Sequence, residues 1–473
     1  MVIDMVLKVY NTMSRKKEVF KPQQSKYVKF YSCGQTVYDD LHIGNARMYS
    51  NWDVVTRYLR WRGYNVFHVQ NFTDVGHLTD DADQGEDKIE KRARLRRLEP
   101  MELVDEKIKQ YWRDMDELNM LRPNISPRAT GHLIEMQDMV KSLLDKGYAY
   151  EVKGNVYFNT SKFKDYGKLA RLKLKDLKAG ARVEVDPDKK HPRDFALWLK
   201  APDNHLMKWS SPWSKGYPGW HVECSVMALK YLGPTLDIHA GGIDHVPVHH
   251  VNEIAQSESY TGKLFANYWL HGAHLTLKGE KMSKSKGNFI TARDAIDKWG
   301  AVPVRLALVS GHYRSQIDFN KGMMETAQNS LERVKNMISS VNSQKSFGRK
   351  SLKADINSHE KEFIRAMNDD FNTPKALAQV FQLVKKVNKL LGKASKKWIH
   401  AARDKVIELL GVLGVKVEVE EQGDVSEIVD LLVSVRDKAR KKKVFKISDF
   451  IRKELKKQGI IIEDTSKGTK WHY

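Results

Sequence analysis

Tyr27-Val28-Lys29-Phe30-Tyr31-Ser32-Cys33-Gly34-Gln35-Thr36-Val37-Tyr38-Asp39-Asp40-Leu41-His42-Ile43-Gly44-Asn45 is the stretch on which the reading of the fold turns. Residues 27–32 are rich in β-formers, and a Cys33-Gly34 turn is expected to close that strand. From Ile43 the apolar and aromatic positions Ala46, Tyr49, Val54, Tyr58 and Trp61 recur at helical spacing until Gly63 ends the pattern. Residues 65–72 then read as a second strand. Two strands joined by a helix of this length make a parallel βαβ unit, and such units place ligands at the carboxyl ends of their strands. The loop from Cys33 to Asn45 is expected there.

Outward from this unit the pattern changes at about Pro127. A helical stretch over 136–146, short alternating runs over 148–159 and the charged run 186–193 read as an insertion with its own small fold, ending near Lys200. The βα rhythm resumes at 220–231 and 236–240, so the nucleotide domain is split. Long Lys-rich amphipathic stretches over 326–413 predict a helical bundle. Residues 431–473 carry 13 Lys or Arg against 5 Asp or Glu. A charge run is more often a solvated helix face, but this one closes on the turn-rich piece 459–473 with Ile460 to Ile462 and Trp471, which suits a small RNA-reading module.

Composition narrows the function classes. A chain of 473 residues exceeds one compact core, and a net charge of +22 points to a polyanionic partner. With 41% apolar residues a wholly disordered basic protein is excluded. Charged residues interrupt the apolar stretches of residues 1–20, and no apolar run reaches bilayer length, so a cytoplasmic protein is expected. Cys33 and Cys224, the only cysteines, stand 191 positions apart, and a reducing compartment argues against a disulfide between them.

Chemistry gathers in three places. His42-Ile43-Gly44-Asn45 opens a helix, whose free N–H groups and dipole favour phosphate; Gly44 permits close approach, and His42 and Asn45 add donors. Taken alone it could be an ordinary polar turn. Lys281-Met282-Ser283-Lys284-Ser285 offers two lysines three apart in a Ser/Gly-rich loop, suited to neutralising a triphosphate, or simply a flexible basic loop. In His239-Ala240-Gly241-Gly242-Ile243-Asp244 the glycines Gly241 and Gly242 can admit a nucleotide, and Asp244 can accept from ribose hydroxyls. Together the three describe an ATP site. His249 and Glu253, spaced i, i+4, share a helical face, and with Cys33 and Cys224 they make a donor set suited to tetrahedral Zn2+. Two unrelated buried cysteines are the competing reading; the place of Cys33 in the loop leading to His42 favours the metal.

On these residues the chain resembles the cysteinyl-tRNA synthetases of the class I aminoacyl-tRNA synthetases. The shared text runs through Tyr31-Ser32-Cys33-Gly34, Thr36-Val37-Tyr38-Asp39, His42-Ile43-Gly44-Asn45, Asn71-Phe72-Thr73-Asp74, Ser211-Pro212-Trp213, Pro218 to Ser225, the segment at His239, His249-His250 and Lys281 to Ser285. Two positions depart from the family: Gln35 stands where it usually has Pro, and Val251 where it usually has Glu. The resemblance implies an α/β fold: a split Rossmann-like parallel-sheet catalytic domain (1–126 and 201–270), an inserted acceptor-end domain (127–200), a stem-contact region with the 281–285 loop (271–325), a helical bundle (326–415) and a small C-terminal anticodon-binding domain (416–473). It further implies that Thr73 and Trp220 line the substrate pocket, where plain core packing is the alternative, and that Arg440, Asp449 and Asp464 read the anticodon.

The implied activity is ATP-dependent conversion of L-cysteine to cysteinyl-adenylate and transfer of the cysteinyl group to the 3'-terminal adenosine of tRNA(Cys). His42, Asn45, Lys281 and Lys284 would stabilise the phosphates, with Mg2+ accompanying ATP and one Zn2+ per chain selecting the thiolate. Serine is slightly smaller than cysteine, so shape alone cannot reject it, whereas a soft cation prefers sulfur. A monomer is expected. The competing readings are a related ligase joining cysteine to an amino sugar, and a non-catalytic zinc-containing RNA-binding protein.

Overall fold

A computed structural model describes residues 6–75, 86–171, 186–282, 288–417, 426–465 and 468–472. The chain forms two compact units, residues 1–417 and 418–473. Lys284 and the rest of 283–287 lie outside the described residues, as does the side chain of Lys281.

At the centre of the first unit is a four-stranded parallel sheet, ordered Ala266–Gly272, Leu236–Gly242, Tyr27–Thr36, Asn65–Thr73. Helix Ile43–Trp61 connects Tyr27–Thr36 to Asn65–Thr73, and helix Val251–Thr261 lies between Leu236–Gly242 and Ala266–Gly272. The chain runs outward in one direction from Tyr27–Thr36 and, after the insertion, in the other. The order therefore reverses between Tyr27–Thr36 and Leu236–Gly242, and a reversal of this kind opens a crevice at the carboxyl ends of the strands. Cys33 and Gly241 stand at that edge, one residue past the last paired positions Ser32 and Ala240.

Helix Ile43–Trp61 begins and ends as expected, and most of its residues are buried. The first strand differs from expectation. It does not stop at Ser32 but continues to Thr36 through a register break between Ser32 and Gln35. Gly34 is needed there for packing and not for a turn: a Cβ would stand 1.6 Å from the Asn71 carbonyl oxygen. The glycine lets two strands approach closely at the break.

The inserted segment supplies helix Leu133–Asp145 and an antiparallel sheet of Ala149–Val152, Asn155–Phe158, Phe195–Lys200 and Gly216–Pro218. The expected boundary at Lys200 thus falls at the end of the third of its four strands. Beyond the sheet core, helices Lys321–Asn342, Lys353–Asn368, Thr373–Leu390 and Lys396–Val412 form the bundle. Asn320 and Asn372 cap two of them through side-chain oxygens, and Leu331, Val334, Ile338 and Val341 show the one-face burial that amphipathic spacing predicts. The bundle is tied to helix Ile43–Trp61: Tyr58 donates to Asn368 Oδ1 at 2.6 Å and Trp61 to Glu408 Oε1 at 2.9 Å.

The second unit packs helices Ser426–Lys441 and Phe445–Lys457 against the hairpin Ile461–Thr465/Gly468–His472, around Val429, Val433, Leu455, Ile460 and Ile462.

Candidate active site

Four elements converge on one point at the crevice. Cys33 comes from the first strand, Cys224 from helix Trp220–Leu232, His249 from the π-helical turn Val246–His250, and Glu253 from the start of helix Val251–Thr261. Their ligand atoms lie within 4.8 Å of one another, all buried. Widened turns of this kind recur at functional sites because they re-aim side chains by one residue. Here His249 Nε2 stands 3.0 Å from Glu253 Oε1. The other ring nitrogen of His249 meets His221 Nδ1 at 2.9 Å, the outer contact that fixes the tautomer of a metal-binding imidazole.

The electrostatics suit a divalent cation. Burial would raise the carboxyl of Glu253, but the His239 and His249 charges outweigh it and hold the group below the usual carboxylate range. A hydrogen bond from Cys33 brings the Cys224 thiol down to about 6, against the opposing effect of burial. Burial, with the hydrogen bond and charge of Cys224, pushes Cys33 up. For His249 burial acts downward, yet the Glu253 charge and the Cys224 sulfur raise it to about 10. A divalent cation would take these groups as a carboxylate, two thiolates and a neutral imidazole, displacing whatever protons they carry. Two sulfurs, one nitrogen and one oxygen form a donor set that fits Zn2+.

Around this set lies a shell of histidines to which the sequence assigned no role. His239 Nε2 approaches Glu253 Oε2 at 2.8 Å, His250 Nε2 approaches Cys33 Sγ at 3.3 Å, and His250 Nδ1 approaches His271 Nε2 at 2.7 Å. Burial lowers the pKa of His245 to about 3 and depresses His250 and His271, so these rings are neutral. The His249-His250 doublet was the signal for His250; His271 lies on another strand and leaves none. A Cβ on Gly241 would meet the His250 ring at 2.8 Å and His245 Nδ1 at 3.0 Å, so that glycine makes room for imidazoles. At Gly242 nothing comes nearer than Met48 Cε at 3.8 Å. Asp244 is half exposed and ion-paired with His274 at 3.0 Å.

Trp220 opens its helix with the indole stacked on His249, ring centroids 4.4 Å apart. Thr73, at the end of the fourth strand in sheet order, is buried, and its Oγ1 accepts from Asn71 Nδ2 at 3.2 Å. Asn71 Oδ1 in turn accepts from Gly34 N at 3.0 Å and lies 3.7 Å from Cys224 Sγ. One amide thus links the two strand ends to the sulfur cluster.

The two motifs expected to contact phosphate come together at the N-terminus of helix Ile43–Trp61. His42 is its N-cap, with Nδ1 accepting from Asn45 N at 3.2 Å. An accepting Nδ1 leaves the proton on Nε2, which makes that edge of a neutral ring a donor. Backbone pairing at His42/Thr291, Ile43 N to Ile290 O and Ala292 N to Leu41 O brings the chain after 283–287 back to this helix start. On the other side of that loop, Glu280–Lys281 pairs with Leu275–Leu277, and Met282 packs on Gly44, where a Cβ would stand 2.6 Å from Met282 Cε. Both ends of the loop holding Lys281 and Lys284 therefore flank His42, Gly44 and Asn45.

In the second unit Asp464 takes a two-pronged contact from buried Arg436, at 2.8 and 2.7 Å, and a further one from Arg440. Asp449 is exposed on its helix. The Arg436 hydrogen bond, followed by that of Arg440, overcomes burial and keeps the Asp464 carboxyl below its usual range. A depressed folded pKa contributes stability above the unfolded value of about 4, lost as pH falls through the folded one. The protection of residues 460–465 and 468–472 against hydrogen exchange, corrected for the intrinsic rate at each pH, is thus expected to fall below about pH 4. In Asp464→Asn the fall should be smaller; an unchanged pH profile of protection would contradict the pairing.

Residues 19–329 match the family model of the class I tRNA synthetase (C) catalytic domain, and residues 362–418, within the bundle, match that of the DALR domain. The chain is 45% identical to the cysteine–tRNA ligase of Carboxydothermus hydrogenoformans over 98% of its own length and 99% of that protein's. It is also 45% identical to the corresponding ligase of Deinococcus radiodurans, over 98% and 96%. Among solved structures it is similar in fold to Mycobacterium tuberculosis methionyl-tRNA synthetase, with 17% identity, a TM-score of 0.59 and coverage of 86% and 94%. A leucyl enzyme–tRNA complex from Agrobacterium radiobacter K84 gives 14% identity, a TM-score of 0.62 and 84% coverage of each chain.

Proposed function

The chain belongs to the cysteine–tRNA ligases of the class I aminoacyl-tRNA synthetases, and from that membership we propose how its own residues carry out the reaction. The carboxylate of L-cysteine attacks the α-phosphorus of ATP; cysteinyl-adenylate forms and pyrophosphate leaves. A terminal ribose hydroxyl of tRNA(Cys) then attacks the cysteinyl carbonyl and AMP leaves. The observation that carries this reading is the meeting of the Cys33, Cys224, His249 and Glu253 donor set with the start of helix Ile43–Trp61 along one sheet edge.

In this reading the amino-acid side chain lies at the sulfur cluster and the phosphates lie at the helix start. His42 Nε2–H, the Asn45 amide and the helix dipole face charge that grows on the phosphates as the leaving group departs. Gly44 permits the close approach. Lys281 and Lys284 supply cationic charge from the loop, and Mg2+ enters with ATP. Cys33, Cys224, His249 and Glu253 would hold Zn2+, which when bound supplies a soft Lewis acid for the substrate thiolate. Thr73 and Trp220 frame the cysteine, Asp244 and Gly242 face the nucleoside, and Arg440, Asp449 and Asp464 read the anticodon. The enzyme works as a cytoplasmic monomer; among the described residues no helix is long and apolar enough to cross a membrane.

Cysteine-dependent ATP–pyrophosphate exchange without tRNA tests the first half-reaction and separates this reading from a non-catalytic RNA-binding protein. Lys284→Ala should lower the exchange rate by about a hundredfold, the loss typical of one charge-stabilising donor, and leave cysteine affinity unchanged. A collapse of cysteine affinity would overturn the phosphate assignment.

A further inference from the structure

Gln35 is the residue whose place in the structure the reaction as described leaves unused. It is 6% exposed and sits just past the register break of the first strand. In a regular strand, residues two apart share a face. Here Cys33 turns to His250 and Glu253, whereas Gln35 turns to the start of helix Ile43–Trp61. A bulge re-aims side chains in this way, and Gly34, held on Asn71, is what fixes it. Gln35 Oε1 accepts from Asn45 Nδ2 at 3.0 Å and from the Tyr49 hydroxyl at 3.4 Å.

We propose that Gln35 is a positioning residue for ATP binding: its carbonyl oxygen holds the Asn45 side chain with the amide nitrogen, not the amide oxygen, presented at the phosphate site. This rests on Asn45 acting as a phosphate contact. A carboxamide offers two N–H donors on one side and an acceptor on the other, and the two sides have nearly the same shape. Next to a triphosphate the wrong face is repelled. Committing one N–H to Gln35 leaves the second for a phosphate oxygen and opposes the flip. Tyr49 donates to the same Oε1, so two donors fix the orientation of the Gln35 amide in its turn. The strand that carries Cys33 thereby also orients a phosphate donor, and one bulge serves both ends of the substrate pair.

The test uses the full-length, zinc-loaded enzyme in cysteine-dependent ATP–pyrophosphate exchange, with Gln35→Met, Asn45→Ala and the double variant. Gln35→Met keeps the side-chain length and removes the acceptor. It should raise KM for ATP by about tenfold, the upper range for one hydrogen bond, with KM for cysteine and zinc content unchanged. Because Gln35 acts through Asn45, the double variant should be no worse than Asn45→Ala. If Asn45→Ala impairs ATP use while Gln35→Met does not, or if the two losses add, the positioning role is rejected. If Asn45→Ala itself leaves ATP use intact, the phosphate-site reading fails instead.

Discussion

Cys224→Ser should leave the protein with little bound zinc and lower cysteine-dependent pyrophosphate exchange by at least about a hundredfold. The bound rests on a comparison: losing an outer-shell partner of a metal ligand costs about 10- to 100-fold, and losing a ligand costs no less. Serine is only slightly smaller and keeps the side chain's place in helix Trp220–Leu232, so packing changes little. What disappears is the group that already sits lowest among the thiols, down to about 6 through its hydrogen bond from Cys33. A neutral hydroxyl neither carries that negative charge nor offers a soft donor. Metal content by mass spectrometry and exchange activity should fall together. Full exchange from a zinc-free preparation of the unaltered enzyme would remove the ion from the reaction altogether. The consequence for fidelity is direct, since a pocket shaped for cysteine admits serine, and a missing small group is worth only about 1–3 kcal/mol of discrimination.

How far this site could be read beforehand follows from how local each feature is. The βαβ unit was legible because each of its signals, the Tyr27 strand, the helical spacing from Ile43 and the stop at Gly63, lies within a few residues of its consequence. The four donor letters were legible as a set, although only the fold shows that residues 33, 224, 249 and 253 meet. The bulge was not legible. Cys33-Gly34 has the composition of a turn, and what makes it a strand is the Asn71 carbonyl on a neighbouring strand. With the strand end misplaced, Gln35 read as a departure bearing on loop rigidity and not on activity, while in the fold it bonds to Asn45. His271 was hidden for a related reason, since a histidine on a buried strand is usually core and its role here depends on a partner 21 positions away. In the second unit the long cationic helix concealed Arg436, a buried partner for Asp464 that composition cannot distinguish from the solvated lysines beside it.

The largest stability effect is expected at Asp53, ten residues into helix Ile43–Trp61. Its Oδ1 accepts from Leu121 N at 2.8 Å, and its Oδ2 accepts from Arg57 Nε at 2.8 Å and from Arg305. Arg305 is fully buried and also donates to Leu413 O, at 2.9 and 3.2 Å, just past the last bundle helix. Gly414, at φ +74°, makes this possible, because a Cβ there would lie 2.2 Å from the guanidinium. Burial lowers the pKa of Arg305 while Asp53 opposes the shift; the guanidinium stays charged in any case, and Asp53 is its buried counterion. Asp53→Ala leaves the cation buried without a counterion, a situation that costs about 3–5 kcal/mol. Arg305→Met should cost less, about 1–3 kcal/mol for the unsatisfied Leu413 carbonyl, because Asp53 keeps Arg57 and Leu121. The inequality is the test: in chemical denaturation the Asp53→Ala midpoint should lie clearly below that of Arg305→Met, and equal or reversed midpoints would mean that Asp53 is not what holds the cation in place. Because the pair joins helix Ile43–Trp61 to the end of the bundle, Asp53→Ala should lose tRNA charging more steeply with temperature than it loses pyrophosphate exchange.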